Sequence, residues 1–208
     1  MTRGRFITLE GGEGAGKSTQ AARLVEALER QGRRVIRTRE PGGSKGAEDI
    51  RGLVVRGDAE RWSARTEALL MFAARSDHLE RTIRPALERG EWVICDRFAD
   101  SSRVYQGVAG GLDPDFIEAL DEAVVGPDQP DLTLIFDLPV ETGLARAGTR
   151  AGDEDRFEGK GAAFHARLAE GFRDLPRRFP GRCVLIDASG DPDAVSARVM
   201  AAVEARLG

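Results

Sequence analysis

The sequence predicts an α/β fold in which a five-stranded parallel sheet is flanked by helices. Five short apolar runs alternate with segments of helical periodicity, and that alternation is the mark of a parallel sheet with crossover helices. The last three runs are continuously apolar, as strands covered on both faces are. The first run ends in a glycine-rich turn that leads directly into a helix.

Residues 5–10 (Arg-Phe-Ile-Thr-Leu-Glu) read as the first strand. Residues 17–31 carry Leu24, Val25 and Leu28 at helical spacing, and Gly32 marks the end. Residues 35–38 form a second strand, broken by Pro41-Gly42-Gly43, and residues 47–55 a short helix. Residues 64–89 place Leu69, Phe72, Leu79, Ile83 and Leu87 near one face, which predicts a long helix that Pro85 kinks or ends. Residues 92–95, 132–136 and 183–186 supply the other strands, and residues 193–207 a closing helix. The glycine- and charge-rich stretch at about 148–161 reads as a mobile loop. No repeat or linker divides the chain, so one domain over 1–208 is expected.

Composition sets outer limits. With 208 residues, 41% apolar and 32% charged, the chain has the balance of an ordinary soluble domain. It has no apolar run of membrane-spanning length, and its first ten residues do not read as a signal peptide. Cys95 and Cys183 sit inside β-rich runs and no zinc-type Cys/His spacing occurs, so a reducing, cytoplasmic setting is the expectation. The formal charge of −4 argues against general nucleic-acid binding. Lysine occurs only at Lys17, Lys45 and Lys160, and a local arginine-lined pocket for a small anion is compatible with that balance.

The chemistry starts at Gly11-Gly12-Glu13-Gly14-Ala15-Gly16-Lys17-Ser18, followed by Thr19, which fits the P-loop pattern G-x-x-x-x-G-K-[ST]. Glycines let backbone N–H groups turn in around phosphate oxygens while the next helix presents its positive end. Lys17 is expected to reach the β- and γ-phosphates and the Ser18 hydroxyl to ligate Mg²⁺. The pattern lies between a predicted strand and a predicted helix, the setting it requires. The chain contains no asparagine, so a guanine-reading Asn-Lys-x-Asp loop is impossible. Small nucleoside or nucleotide kinases remain.

Five further segments narrow the field: Arg39-Glu40-Pro41-Gly42-Gly43, Phe72-Ala73-Ala74-Arg75, Asp96-Arg97-Phe98 with Ser101-Ser102 and Tyr105-Gln106-Gly107, Pro130-Asp131-Leu132-Thr133-Leu134 with Asp137, and Asp155-Arg156-Phe157-Glu158. In this order and spacing, and with the P-loop before them, they make the sequence resemble bacterial thymidylate kinases nearly end to end. The resemblance implies a single-domain P-loop nucleoside monophosphate kinase fold with a mobile lid. It also implies Mg²⁺-dependent transfer of the ATP γ-phosphate to dTMP in dTTP biosynthesis, and a homodimer.

The resemblance assigns roles residue by residue. Arg97 grips the dTMP phosphate and Arg51 is a second candidate, since a planar guanidinium holds two phosphate oxygens at once. Asp96 either orients Mg²⁺ through water or fixes Arg97. Glu13 contacts the deoxyribose 3′-hydroxyl or the metal region. Arg75 reads the base carbonyl edge, with either Phe72 or Met71 against the ring. Ser101, Ser102 and Gln106 border the base, Tyr105 crowds the 2′ position and Pro41 belongs to the same wall. The P-loop carries no arginine, so Arg150 and Arg156 in the lid are the catalytic candidates for closing over the γ-phosphate, with Arg146 a weaker one. Another nucleoside or nucleotide kinase, or a P-loop ATP-binding regulator, are the competing readings. Asp96-Arg97 with the Tyr105-Gln106 segment favours the thymidylate kinase reading over both, and a regulator has no need of two anion-binding arginine clusters around one pocket.

Overall fold

The computed structural model describes residues 3–58, 60–148, 157 and 160–208. Its central strand β1 (Phe6–Gly11) is buried at every position. Ile7 and Leu9 point into one apolar layer and Phe6 into the other, so the strand's period of two serves two cores. Around it stand β2 (Val35–Arg39), β3 (Trp92–Asp96), β4 (Leu132–Asp137) and β5 (Cys183–Asp187), all parallel, in the order β2-β3-β1-β4-β5. Connections from β1 run to one side and later ones return to the other. The crevice outside the carboxyl ends at such a reversal is where open α/β sheets bind ligands.

Each strand extends one residue beyond the apolar run that predicts it, to Gly11, Arg39, Asp96, Asp137 and Asp187. Ladder pairing continues past the last apolar side chain, for example Arg39 beside Asp96 and Asp137 beside Asp187. Polar groups are thereby delivered to the carboxyl edge. One expectation fails at β5. Its run looks like a doubly covered strand, but it is an edge strand in which only Cys183 and Ile186 are buried and Leu185 is 44% exposed.

One layer packs α1 (Lys17–Arg30) and α9 (Pro192–Leu207) on the sheet through Leu24, Leu28, Val195, Val199 and Val203. The opposite face takes α3 (Ala64–His78), α4 (Arg84–Glu88) and α6 (Pro114–Val124). Further along, α8 (Ala162–Arg178) covers Ile135 and Cys183 with Leu168 and Phe172. The short α2 (Lys45–Val54) packs on α3, its first turn capped by the Ser44 hydroxyl, which accepts from the Ala47 N–H.

The predicted single helix over residues 64–89 is corrected. A wide π-type turn, Leu79–Ile83, separates α3 from α4. Pro85, the second residue of α4, has no N–H to return to the carbonyl four residues back, and its ring needs room there, so the ladder widens just before it. Leu69, expected on the buried face, is 47% exposed. A second wide turn, Arg103–Ala109, continues the four-residue α5 (Ala99–Ser102) and carries Tyr105 and Gln106.

The P-loop is braced from outside by α7 (Val140–Ala147). A Cβ on Gly143 would stand 2.4 Å from the Glu13 carbonyl oxygen, and one on Gly14 1.9 Å from that of Gly143. Helix and loop therefore meet backbone to backbone. Gly143→Ala should improve helix propensity by about 1 kcal/mol yet destabilise overall by about 1–3 kcal/mol through the clash. Thermal unfolding checks the sign, and a raised melting temperature would contradict the contact.

Candidate active site

The site begins where β1 ends. Lys17, buried at the start of α1, donates from Nζ to the carbonyl oxygens of Gly11 at 3.0 Å and Gly12 at 2.6 Å. Ser18 and Thr19 stay exposed on the first turn. The Ser18 hydroxyl donates to Asp96 Oδ2 at 2.6 Å, so the two residues expected at a metal stand together.

Arg97 follows Asp96 with φ of 69°, the one non-glycine residue with positive φ among the described residues. Such a conformation persists only where neighbours hold it. Here the backbone N–H of Arg97 donates to the Leu9 carbonyl at 2.9 Å. The guanidinium spans loop and cavity: Nη1 donates to the Gly11 carbonyl at 3.0 Å and to Ser101 Oγ at 3.3 Å, and Nη2 donates to Glu13 Oε1 at 2.8 Å. The Tyr105 hydroxyl donates to the same Glu13 oxygen at 2.7 Å, and its ring lies beneath the guanidinium.

Glu10 was not singled out by its sequence, yet it fixes this corner. Its Oε1 accepts the backbone N–H groups of Phe98 and Ser101 at 2.7 and 3.2 Å, and its Oε2 accepts from Ser101 Oγ at 2.6 Å. The carboxylate thus caps α5 from the neighbouring strand.

Charge follows burial and pairing. Burial and the neighbouring Asp100 push the Glu10 carboxyl up to about 7, against the Ser101 hydrogen bond and Arg97. Burial also works to raise Glu13, but Arg97, Lys17 and the Tyr105 hydrogen bond outweigh it and bring its pKa down to about 2. Burial, reinforced by Arg97, lowers Lys17 to about 8 against the pull of Glu13, Asp96 and Glu10. Burial would lower Arg97, but Glu13 and its other anionic neighbours raise it, so that guanidinium keeps its charge. Two cations, Lys17 and Arg97, therefore share the mouth of the loop with the carboxylates of Glu13 and Asp96.

Beside them opens a cavity of about 140 Å³. Pro41, Arg51, Met71, Arg75, Ser101, Ser102, Tyr105 and Gln106 all line it, together with Glu13 and Arg97. Arg51 Nη1 donates to the Pro41 carbonyl at 2.6 Å. Arg75 is held from three sides: Nε donates to Glu40 Oε2 at 2.9 Å, Nη2 to the Phe98 carbonyl at 3.0 Å, and both terminal nitrogens to Ser102 Oγ at 3.2 Å. Glu40 in turn accepts from His78 Nδ1 at 2.9 Å. Met71 faces the cavity. Phe72 does not line it; its ring is buried in the core under the Arg75 guanidinium, 4.6 Å from centroid to Cζ. Arg150 and Arg156 lie outside the described residues, and Arg146 sits on α7.

A P-loop bonded through one arginine to an adjoining arginine-bearing cavity suits a nucleotide kinase, and known proteins sharpen this. The thymidylate kinase family model matches residues 9–199. The chain belongs to the thymidylate kinase family. The thymidylate kinase of Caulobacter vibrioides is 58% identical over 208 residues, covering 100% of both chains. That of Bradyrhizobium diazoefficiens is 52% identical, covering 99% of this chain and 91% of its own. The crystal structure of thymidylate kinase from Ehrlichia chaffeensis superposes with a TM-score of 0.76 at 31% identity, covering 96% of this chain and 98% of that one. As a member of this family the protein is an ATP-binding nucleotide kinase. No helix among the described residues is long and apolar enough to cross a membrane.

Sequence reasoning missed three buried carboxylates of this family member: Glu10, Glu40 and Glu67. Glu10 carried a signal, being an acid at the end of an apolar strand. Glu40 lies in the Arg39–Gly43 segment but received no role, because its partner Arg75 is 35 residues away; Glu67, 39 residues from Gln106, has no local pattern to mark it.

Proposed function

We propose that the chain transfers the γ-phosphoryl group of ATP to the 5′-phosphate of dTMP, with ATP along the P-loop and dTMP in the 140 Å³ cavity. The observation that carries this placement is the bonding of one guanidinium, Arg97, to both the P-loop carbonyl of Gly11 and the cavity residues Glu13 and Ser101. An acceptor phosphate gripped there would stand beside the loop that cradles the donor.

An oxygen of the dTMP phosphate attacks the γ-phosphorus, the bond to the β-bridging oxygen breaks, and ADP leaves. A phosphate monoester with a second pKa of about 6 is largely dianionic at neutral pH. No general base is needed, and positioning with charge neutralisation supplies the catalysis. Lys17 and Arg97 would neutralise charge, and Arg150 and Arg156 are proposed to close over the γ-phosphate. The Ser18 hydroxyl and Asp96 carboxylate are hard oxygen donors of the kind that hold Mg²⁺ beside phosphates. When bound, Mg²⁺ would supply positive charge that offsets the charge developing on the transferred phosphate. The single domain and the cytoplasmic setting are proposed from the undivided sequence and its cysteine usage, and the lid and the homodimer from the resemblance.

ADP release measured with ATP, Mg²⁺ and a panel of nucleoside monophosphates tests the reading. Turnover is expected with dTMP, less with dUMP, and little with dGMP or dCMP, whose base edges differ, or with UMP, whose 2′-hydroxyl Tyr105 is proposed to crowd. Equal turnover across the panel would remove the base assignment.

A further inference from the structure

Gln106 is 1% exposed and lines the cavity. Its Nε2 donates to Glu67 Oε1 at 2.7 Å, and its Oε1 has no hydrogen-bond partner among the described residues. The two ends of an amide have nearly the same size, so packing alone does not choose which end faces which way. A carboxylate does choose. It only accepts, so the amide NH₂ must face it and the carbonyl oxygen is left for something else. Glu67 is itself 2% exposed, on α3, and Lys160 Nζ stands 3.9 Å from its other oxygen as a compensating cation. Glu67, Met71 and Arg75 follow one another at intervals of four, on one face of the helix.

We propose that Glu67 is a positioning residue for base specificity: it locks the Gln106 amide with the carbonyl as the open acceptor, so that the cavity takes a pyrimidine bearing an N3–H. The inference rests on the cavity being the dTMP site. Thymine offers a carbonyl at C4 and a donor at N3; cytosine offers a donor at C4 and an acceptor at N3. Arg75 has only donors to present, and Glu40, Ser102 and the Phe98 carbonyl hold it in place. An arginine donor with a fixed amide carbonyl matches the first edge and opposes the second at both positions. A site built around such hydrogen bonds rejects the mismatched analogue by as much as about 10⁴–10⁵-fold, because buried groups are left unpaired.

Glu67→Gln tests this, since a glutamine can donate or accept and so lets Gln106 turn over. The readout is the ratio of kcat/KM for dTMP to that for 5-methyl-dCMP, two substrates with the same methyl group and different base edges. The ratio should fall at least about tenfold, mostly through KM for dTMP, with KM for ATP unchanged. In a Gln106→Leu background, adding Glu67→Gln should leave the ratio within about twofold, because the residue it acts through is gone. Glu67→Ser, whose hydroxyl also donates and accepts, must give the same fall if the first variant does not fold. A folded Glu67→Gln enzyme with wild-type selectivity, or an equal fall without Gln106, overturns the proposal. Absence of dTMP turnover in the wild type would instead sink the functional reading beneath it.

Discussion

Lys17→Ala is expected to lower kcat about 10³-fold, the scale on which one preorganised group at a developing charge acts. Lys17 is one of two cations at the mouth of the loop and is held there by two loop carbonyls. Its removal leaves the Ser18–Asp96 pair in place, and alanine suits the first turn of α1. The fold should therefore survive, with a melting temperature close to that of the wild type. A second measurement isolates the charge. Burial and Arg97 bring Lys17 to about 8, so above that pH an increasing share of the enzyme must take up a proton before it can grip a triphosphate. KM for ATP should rise with pH above about 8, by up to about tenfold per unit, and that rise should be absent in Lys17→Ala. A variant that keeps kcat within tenfold of wild type would show that the lysine does not serve the transferred phosphate.

What was legible in the sequence was whatever is local. The five strands appear as apolar runs, and the P-loop appears as a motif because its geometry depends on consecutive residues. The wide turn at Leu79–Ile83 is different. Pro85 announces a disturbance, but whether the chain bends, stops or widens depends on how Ile83 and Leu87 pack beneath it. β5 reads like a central strand because its sequence is apolar, and only the strand order shows that it is an edge. In the site, paired motifs brought most of the cavity residues into view. The contacts made by the carboxylates that hold those residues were not legible, since Glu10 reaches Phe98 across 88 positions and Glu67 reaches Gln106 across 39; the acid ending an apolar strand was the one local sign of Glu10. Met71 and Phe72 could not be separated either. Both lie within one turn of Arg75, and the packing of the second under the guanidinium decides which faces the cavity.

Arg97→Ala should reduce kcat/KM for dTMP about 10³-fold, and Arg97→Lys about 10²-fold. The backbone makes the difference between these two variants informative. Positive φ turns the side chain back over β1, where its two terminal nitrogens reach separate acceptors, the Gly11 carbonyl and Glu13. Lysine carries the charge but is a single point donor and cannot span them. Alanine removes the cation that does most to bring the Glu13 carboxyl down to about 2 in the wild type, and leaves Lys17, the Tyr105 hydroxyl and His165 near it among the described residues. Glu13 would then titrate closer to the ordinary carboxylate range. Some loss in Arg97→Ala could therefore come from a relaxed loop, and the two Michaelis constants separate the causes. If Arg97 holds the acceptor phosphate, KM for dTMP rises and kcat falls while KM for ATP moves less than about threefold, because the donor's cradle is built from backbone N–H groups and Lys17. Equal rises in both constants would mean that Arg97 serves only to brace the loop, and an unchanged kcat/KM for dTMP would remove it from the site.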